Sequence, residues 1–597
     1  MTQRDRGIAA ALSALLLVLA LALVIPGSST GPGSALVNLS PSTSPSVDPA
    51  AGNPPVYREG VVGLPSSINP LTARTQADRD LSRLIFSGLV ARGPGSTYVP
   101  DLAASWTVDS TGRTWTFRLR PDATWQDGQP LTADDVVFTV GLLKDPAYRG
   151  ALANSWSEVS VVKLDPTTVQ FSLATPIAGF LEDALVGIMP EHLLGLTPIT
   201  SLADSPFSSN PVGSGPYRLV SVDDVSAELV PTDRSAPSPS IASAPRPSAS
   251  GGPGASAAAG GPGASAAAGA AGGQASEPLP AIELRFFADS GSLAGAYRAG
   301  SLDAASGLSP SDATALASLA GSRLLGDPST TLSSVAFNLR AGAPGGAPLA
   351  PAAVRRALLQ ALDRPAMVTS VLDGLGNVAD SPIPPSSWAF DPKASAPVPS
   401  NPAAAATALK AAGWTKGSTG WLAPKAKAAF AFDLLSPDQA SNPIAWAAAE
   451  AITGQWRNFG LAVTHVALDP TDFVARLGAG SFVAALVDVN VGLDPDLYPL
   501  FASSQAVSGG ANLTGIQDSS LDALLVAARL PGTTTARAAA YGRLQAALVA
   551  NPPMLPLFFQ DDPIVLGPRV QGPSIRTLAD LSDRYWDVLT WRLADGR

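Results

Sequence analysis

The sequence predicts an α/β protein, and three observations carry that expectation. Period-two apolar alternation marks strands, apolar spacing at i, i+4 and i+7 marks helices, and the two kinds of segment are mixed along the chain. Apolar residues make up 46% of the 597 positions and charged residues 14%. That balance supplies a sizeable core and is the reverse of a disordered composition. The 55 Gly and 56 Pro outnumber all charged residues together, but they concentrate in a few segments around a folded body.

The elements follow in order. Gly7 to Ile25 is uncharged and rich in Leu, Ala, Val and Ile, and Arg4 and Arg6 precede it. At ~1.5 Å per residue this run spans about 28 Å, one hydrocarbon core. It reads as an uncleaved membrane anchor with the cytoplasm on its basic side, or as a cleaved secretory signal. The Pro26-Gly27 that follows is a poor cleavage site and favours the anchor. Either way the bulk of the chain is exported. Residues 26–54, rich in Pro, Ser and Gly, read as a tether.

Trp106-Thr-Val108 and Arg113–Arg120 flank Asp109-Ser-Thr-Gly112 and read as a β-hairpin. In its second strand Trp115, Phe117 and Leu119 alternate with polar residues, as a half-buried strand requires. Asp127-Gly128 is a tight turn, and Thr132-Ala-Asp-Asp135 has the form of a helix capping box. Residues 234–280 are low in complexity: GGPGASAAA at Gly251–Ala259 repeats at Gly260–Ala268. This stretch reads as a loop inserted in a lobe, or as an interdomain linker; a flexible loop of such length costs little. Beyond it, Ala281–Phe287 reads as a strand and Ser292–Ala299 as a helix. A further helix begins with Pro351 at its first position and buries Val354, Leu358, Ala361 and Leu362. Ala403–Ala412 and Ala447–Phe459 are helices too.

Composition also excludes functions. No Cys means no disulfide, thiolate metal site or lipid-bearing cysteine, and two His, His192 and His465, rule out a His-rich metal site. The net charge of −10 argues against nucleic acid as a partner. No Gly-x4-Gly-Lys-Ser/Thr loop is present, so an ATPase activity belongs to another chain. An exported hydrolase would need one of the two His as its base. His192 reads as a packing or capping residue, and His465, in the alternation Val463-x-His465-x-Ala467, reads as an edge-strand residue.

Several motifs, in order, resemble the extracellular solute-binding proteins of family 5, the peptide/nickel-type binding components of ABC importers. They are Ile68-Asn69-Pro70, Gly88-Leu89-Val90, and Pro100-Asp101-Leu102-Ala103 through Ser105-Trp106. The most specific is Thr116–Arg120 followed by Trp125-Gln-Asp-Gly-Gln-Pro-Leu-Thr-Ala-Asp-Asp-Val136. Pro190–Leu194, Gly213–Tyr217, Gly300–Asp303, Val354–Leu358 with Ala361–Arg364, and Leu555–Phe558 continue the register. The family's Asn-Pro-x-Tyr-Trp segment is missing where 234–280 stands.

The resemblance implies a periplasmic-binding-protein-like fold of type II, with two lobes (three subdomains) around a ligand cleft. The first lobe would be 55–330 with the insertion 234–280, the second 331–549, and 550–597 would return to the first. It implies a binding protein rather than an enzyme, with no cofactor. It would capture a peptide or other small solute and deliver it to an ABC permease with a separate ATPase. The alternative is a degenerate module of this kind, acting as a cell-surface sensor or interaction protein. Arg355, Asp363 and Arg364 are expected to make salt bridges at the edge of the second lobe. Carried over by motif, the ligand contacts are Arg74, Thr75 and Gln76 on the first lobe, and Trp388, Asp488, Asn490 and Asp494 on the second. Peptide-binding relatives hold the peptide amine with an Asp four residues before the Pro of Asp494-Pro495; here that position is Val491. A Val cannot balance an ammonium, so a free-amino peptide is disfavoured. Arg74 suits a carboxylate or phosphate or stands free at the surface, and Trp388 stacks on a ligand or packs in the core.

Overall fold

The computed structural model describes residues 55–148, 150, 152–232, 279, 281–507 and 510–594. The expected anchor and tether, and nearly all of the stretch 234–280, lie outside these residues. Among the described residues no helix is long and apolar enough to cross a membrane.

Two long antiparallel strands, Arg323–Phe337 and Met554–Leu566, form the middle of an 11-stranded sheet. On one side Ala304–Ser306 pairs with the second of them. Next come Val56–Val62, Ala281–Phe287, Ser226–Pro231 and Tyr217–Val222. On the other side Ala484–Asn490 pairs with the first, followed by Ala431–Pro437 and Ala462–Leu468. Ala431–Pro437 runs parallel to both of its neighbours, as Val56–Val62 does to both of its own. A separate four-stranded antiparallel sheet holds Ala103–Val108, Thr114–Leu119, Thr168–Leu173 and Val159–Asp165.

The cores follow this division. In the first lobe, Tyr57, Leu284, Phe117, Phe171 and Trp156 share one cluster that spans both sheets and takes in Tyr585 and Trp591 from the end of the chain. In the second lobe the strand Arg323–Phe337 sends Val335 and Phe337 to one cluster and Leu332 and Ala336 to another. Both faces of that strand are buried from Leu332 to Phe337, including the polar Ser333 and Ser334, so its apolar residues do not alternate as in a half-buried strand.

Local chemistry explains the elements. The hairpin forms as expected, with Val108 opposite Trp115, and Trp115, Phe117 and Leu119 buried. Gly112 takes φ 71° at the turn, and Asp109 accepts the N–H groups of Arg113 and Thr114. Thr132 and Asp135 close the capping box on the helix Ala133–Lys144. Gly213 and Gly215 lie against the end of the helix Gln76–Ile85, where Gly215 N–H donates to the Ile85 carbonyl at 2.7 Å. A Cβ on Gly213 would come within 1.9 Å of that oxygen, so the close approach requires glycine.

Several boundaries differ from expectation. Pro351 is the N-cap and the helix starts at Ala352. The helices expected from Ala403 and Ala447 begin instead at Pro402 and Pro443, each with an Asn cap just before the proline. The Asn-Pro pair was the missed signal: a capping side chain followed by a residue with preset φ and no N–H to satisfy. Of the expected salt bridges, Arg364 meets Asp380 at 2.7 Å and Asp363 caps the helix Arg364–Leu372. Arg355, fully buried, instead donates to the carbonyls of Leu349, Ala350 and Pro552 and to the Asn551 side chain.

One network has no counterpart in the sequence reading. The Arg584 guanidinium donates to Glu59 at 2.8 Å and to both oxygens of Asp80 at 2.8 and 2.6 Å. The hydroxyls of Tyr57 and Tyr585 both donate to Glu59 at 2.9 Å. All five side chains are buried. The first strand, the first helix and the chain end are thus joined by one guanidinium shared between two carboxylates, a pairing without which their burial would be costly.

Candidate ligand cleft

The two long strands pass between the lobes, and their pairing breaks between Pro328 and Leu332 and again at Ser333/Ser334. The gap is filled from both sides. Thr330 N–H donates to the Leu578 carbonyl and Leu578 N–H to the Pro328 carbonyl, at 3.0 and 2.8 Å. From the second lobe, Val491 N–H donates to the Thr330 carbonyl at 3.1 Å. The Thr330 hydroxyl donates to Asn490 Oδ1 at 2.8 Å, and Asn490 Nδ2 reaches the Ala579 carbonyl. Next to Ala579, Asp580 pairs with Arg79 at 2.9 Å, and Arg79 donates to Gln76 at 2.7 Å. Among the expected contact residues, Gln76 and Asn490 are therefore linked through the 579–580 turn.

The others lie as follows. Thr75 caps the helix Gln76–Ile85 in a capping box with Asp78. Burial raises the Asp78 carboxyl pKa, but the N–H groups of Thr75, Ser67, Arg74 and Ser66 outweigh it and hold the group below its ordinary value. Arg74 is exposed. Asp488 accepts from Ser333 at 2.6 Å and Asn442 at 3.0 Å, and burial pushes its carboxyl up. Gln560 adds a hydrogen bond to Ser333 at 3.1 Å, so both crossing strands supply polar groups here. Asp494 is bidentate with Arg537 at 2.6 and 2.8 Å. Trp388 sits on that guanidinium, 4.6 Å from its ring centroid, and meets Tyr541 edge-on. It is partly buried against the second-lobe core. Arg74 makes no contact with Trp388, Asp488 or Asp494, so the seven residues form separate groups.

The lobes also meet away from the crossing strands. Ala178 N–H donates to the Arg529 carbonyl at 2.9 Å. A Cβ built on Gly179 would lie 3.6 Å from the Asp494 carboxyl carbon. Beside this contact, Asp496 pairs with Arg529 at 3.0 Å, and Arg529 stacks over Tyr498. Asp183 stands close to both, and its pKa is pushed up to about 6, chiefly by burial and then by Glu182 and Asp496. Burial likewise raises Asp327 and Asp561 to about 6 and Asp562 to about 7 on the crossing strands. The sequence reading missed these carboxylates. The available signal was charge inside otherwise apolar strands, as at Asp561-Asp562 in Met554–Leu566.

Ser436, His465 and Glu450 have the spacing of a hydrolytic triad, with Ser436 Oγ 2.7 Å from Nε2 and Glu450 2.5 Å from Nδ1. Yet Ser436 is fully buried, and its hydroxyl lies 2.7 Å from both His465 Nε2 and the Pro437 carbonyl, inside the second lobe where no substrate can approach it. His192 bonds Asp127 in the Asp-Gly turn at 2.8 Å and packs near Trp125. Among the described residues no group of three or more His, Asp or Glu is arranged to hold a metal ion.

Comparison with known proteins agrees with this architecture. The model of the bacterial extracellular solute-binding proteins, family 5, matches residues 97–509. Protein XP55 of Streptomyces lividans is 29% identical over 529 residues, covering 86% of this chain and 85% of its own length. The oligopeptide-binding protein AppA of Bacillus subtilis is 22% identical over 93% of this chain and 95% of its own. The crystal structure of AppA with a nonapeptide superimposes with a TM-score of 0.68 at 21% identity, covering 91% of this chain and all of that one. NikZ from Campylobacter jejuni, in complex with Ni(L-His), gives 0.68 at 23% identity over 90% of this chain and 99% of that one.

Proposed function

Because the chain belongs to the bacterial extracellular solute-binding proteins of family 5, we propose that it captures a peptide or other small solute between its lobes for an ABC importer. The permease and the ATPase are separate chains. The observation that carries this reading is the contact between the lobes away from the crossing strands: Ala178 to Arg529, and Gly179 beside Asp494. A ligand held in such a cleft favours the closed form by its differential affinity for the two states. The lobe division at the break near 330, the insertion within the first lobe and a membrane anchor at residues 1–25 belong to the same reading. So do the ligand contacts at Arg74, Thr75, Gln76, Trp388, Asp488, Asn490 and Asp494.

The geometry bears on ligand class. Asp494 enters the cleft already neutralised by Arg537, and Val491 offers only its buried side chain and an N–H already bonded to Thr330. Neither supplies an anion for a free ammonium, whereas the exposed Arg74 favours a solute with a carboxylate or phosphate. The protein is read as a non-enzymatic binder, and the full burial of Ser436, the one serine beside a His-carboxylate pair described above, supports that.

The test is a melting screen of the protein against peptides, blocked peptides, glycosides and anionic solutes. A native-state ligand at 100 times its Kd adds about 2.7 kcal/mol of stability, enough to raise the melting temperature by several degrees. One solute class should stand out. No change with any class would replace transport with the sensor reading.

A further inference from the structure

Within the second lobe, away from the cleft, the fold leaves a cavity of about 260 Å³. One wall is a face of the helix Ala352–Gln360, where Ala353, Arg356, Ala357 and Gln360 fall at i, i+3, i+4 and i+7. The two alanines leave this face low. Ala408, Val549 and Pro553 from other elements line the hollow with equally small or apolar surfaces. Protein interiors are normally close-packed, and a concave, mostly apolar hollow that opens to the surface is suited to an apolar guest. Its polar lining is sparse and uneven. Asp380 is already paired with Arg364 at 2.7 Å and accepts the Val398 N–H at 3.1 Å. Arg356 is exposed and forms no ion pair with any described residue. The hollow thus presents apolar walls and one uncompensated guanidinium.

We propose that this cavity is a second ligand site, for a medium-chain anionic amphiphile. The tail occupies the space between the alanines and the prolines, and the carboxylate takes the Arg356 fork, whose two parallel donors match it. The site is independent of the interlobe cleft, so both can be filled at once.

The experiment is calorimetric titration of the full chain with sodium octanoate. Octanol and octyltrimethylammonium serve as head-group controls, and propionate as the tail control. Octanoate is expected to bind, octyltrimethylammonium and propionate not to. Arg356→Ala, an exposed change that leaves the core intact, should weaken octanoate to the level of octanol. Ala408→Phe should fill the hollow and abolish octanoate binding. Absence of octanoate binding to the unaltered chain overturns the proposal, and so does octanoate affinity unchanged in Arg356→Ala. If Ala408→Phe does not fold, the Arg356→Ala comparison alone decides.

Discussion

Asp183 shows how one carboxyl reports on the state of the cleft. Its pKa is pushed up from the ordinary 3.8 to about 6 because burial penalises the charged form, and Arg529 only partly compensates. For an acid raised in the folded state the sign is fixed. There is no cost below the unfolded pKa, a growing cost as pH rises from about 4 to about 6, and a constant cost above. A tenfold weakening of an acid corresponds to about 1.4 kcal/mol. The chain should therefore lose stability between pH 4 and pH 6 relative to Asp183→Asn, which removes the titration and keeps the shape. Parallel melting curves of the two proteins across that range check this; identical pH profiles would show that Asp183 is solvated. Asp78 has the opposite sign, since its carboxylate is held below 3.8 by backbone donors, and its contribution disappears only in stronger acid.

At the scale of elements, what was legible in the sequence was local. The capping box at Thr132–Asp135, the Asp109–Gly112 turn and the alternation of Trp115, Phe117 and Leu119 each depend on residues within a few positions of one another. The ends of helices were misread where an Asn-Pro pair, not the apolar face, set the start. The motif order carried the family and the fold, but not the site. Whether Trp388 meets a ligand or Arg537, and whether Asp494 is free or paired, depends on a residue about 40 or more positions away. A similar limit applies to the stretch 234–280, whose meaning rests on the strands it joins. Ser226–Pro231 and Ala281–Phe287 are hydrogen-bonded neighbours, with Leu229 opposite Ile282, so its two ends enter adjacent strands of one sheet. Deleting Ser235–Ser276 should leave the melting temperature within about 2 °C of the intact chain, because the length of a connection between two paired strands contributes little. A drop much beyond that, or loss of solubility, would assign the stretch a structural role.

For the whole molecule, the contact of Gly179 with Asp494 is a lever on closure. A side chain at 179 has 3.6 Å before it meets the Asp494 carboxyl. Gly179→Leu should therefore prop the lobes apart while leaving each core untouched. Small-angle scattering should show a larger radius of gyration and unchanged secondary structure, and an unchanged radius would place the closing surface elsewhere. The Ala-rich body also looks different once the hollow beside the helix Ala352–Gln360 is seen: small residues there make room. Finally, the network at Arg584 carries a consequence for how the chain comes to be folded. Its bond to Glu59 spans 525 positions, so the first core cannot close until almost the entire polypeptide is available. Contacts of such separation are slow to form, and the second-lobe clusters also take in Leu555, Phe558 and Phe559 from Met554–Leu566. Both lobes are therefore completed by the last tenth of the polypeptide, so removing that segment should unfold the whole molecule rather than one lobe.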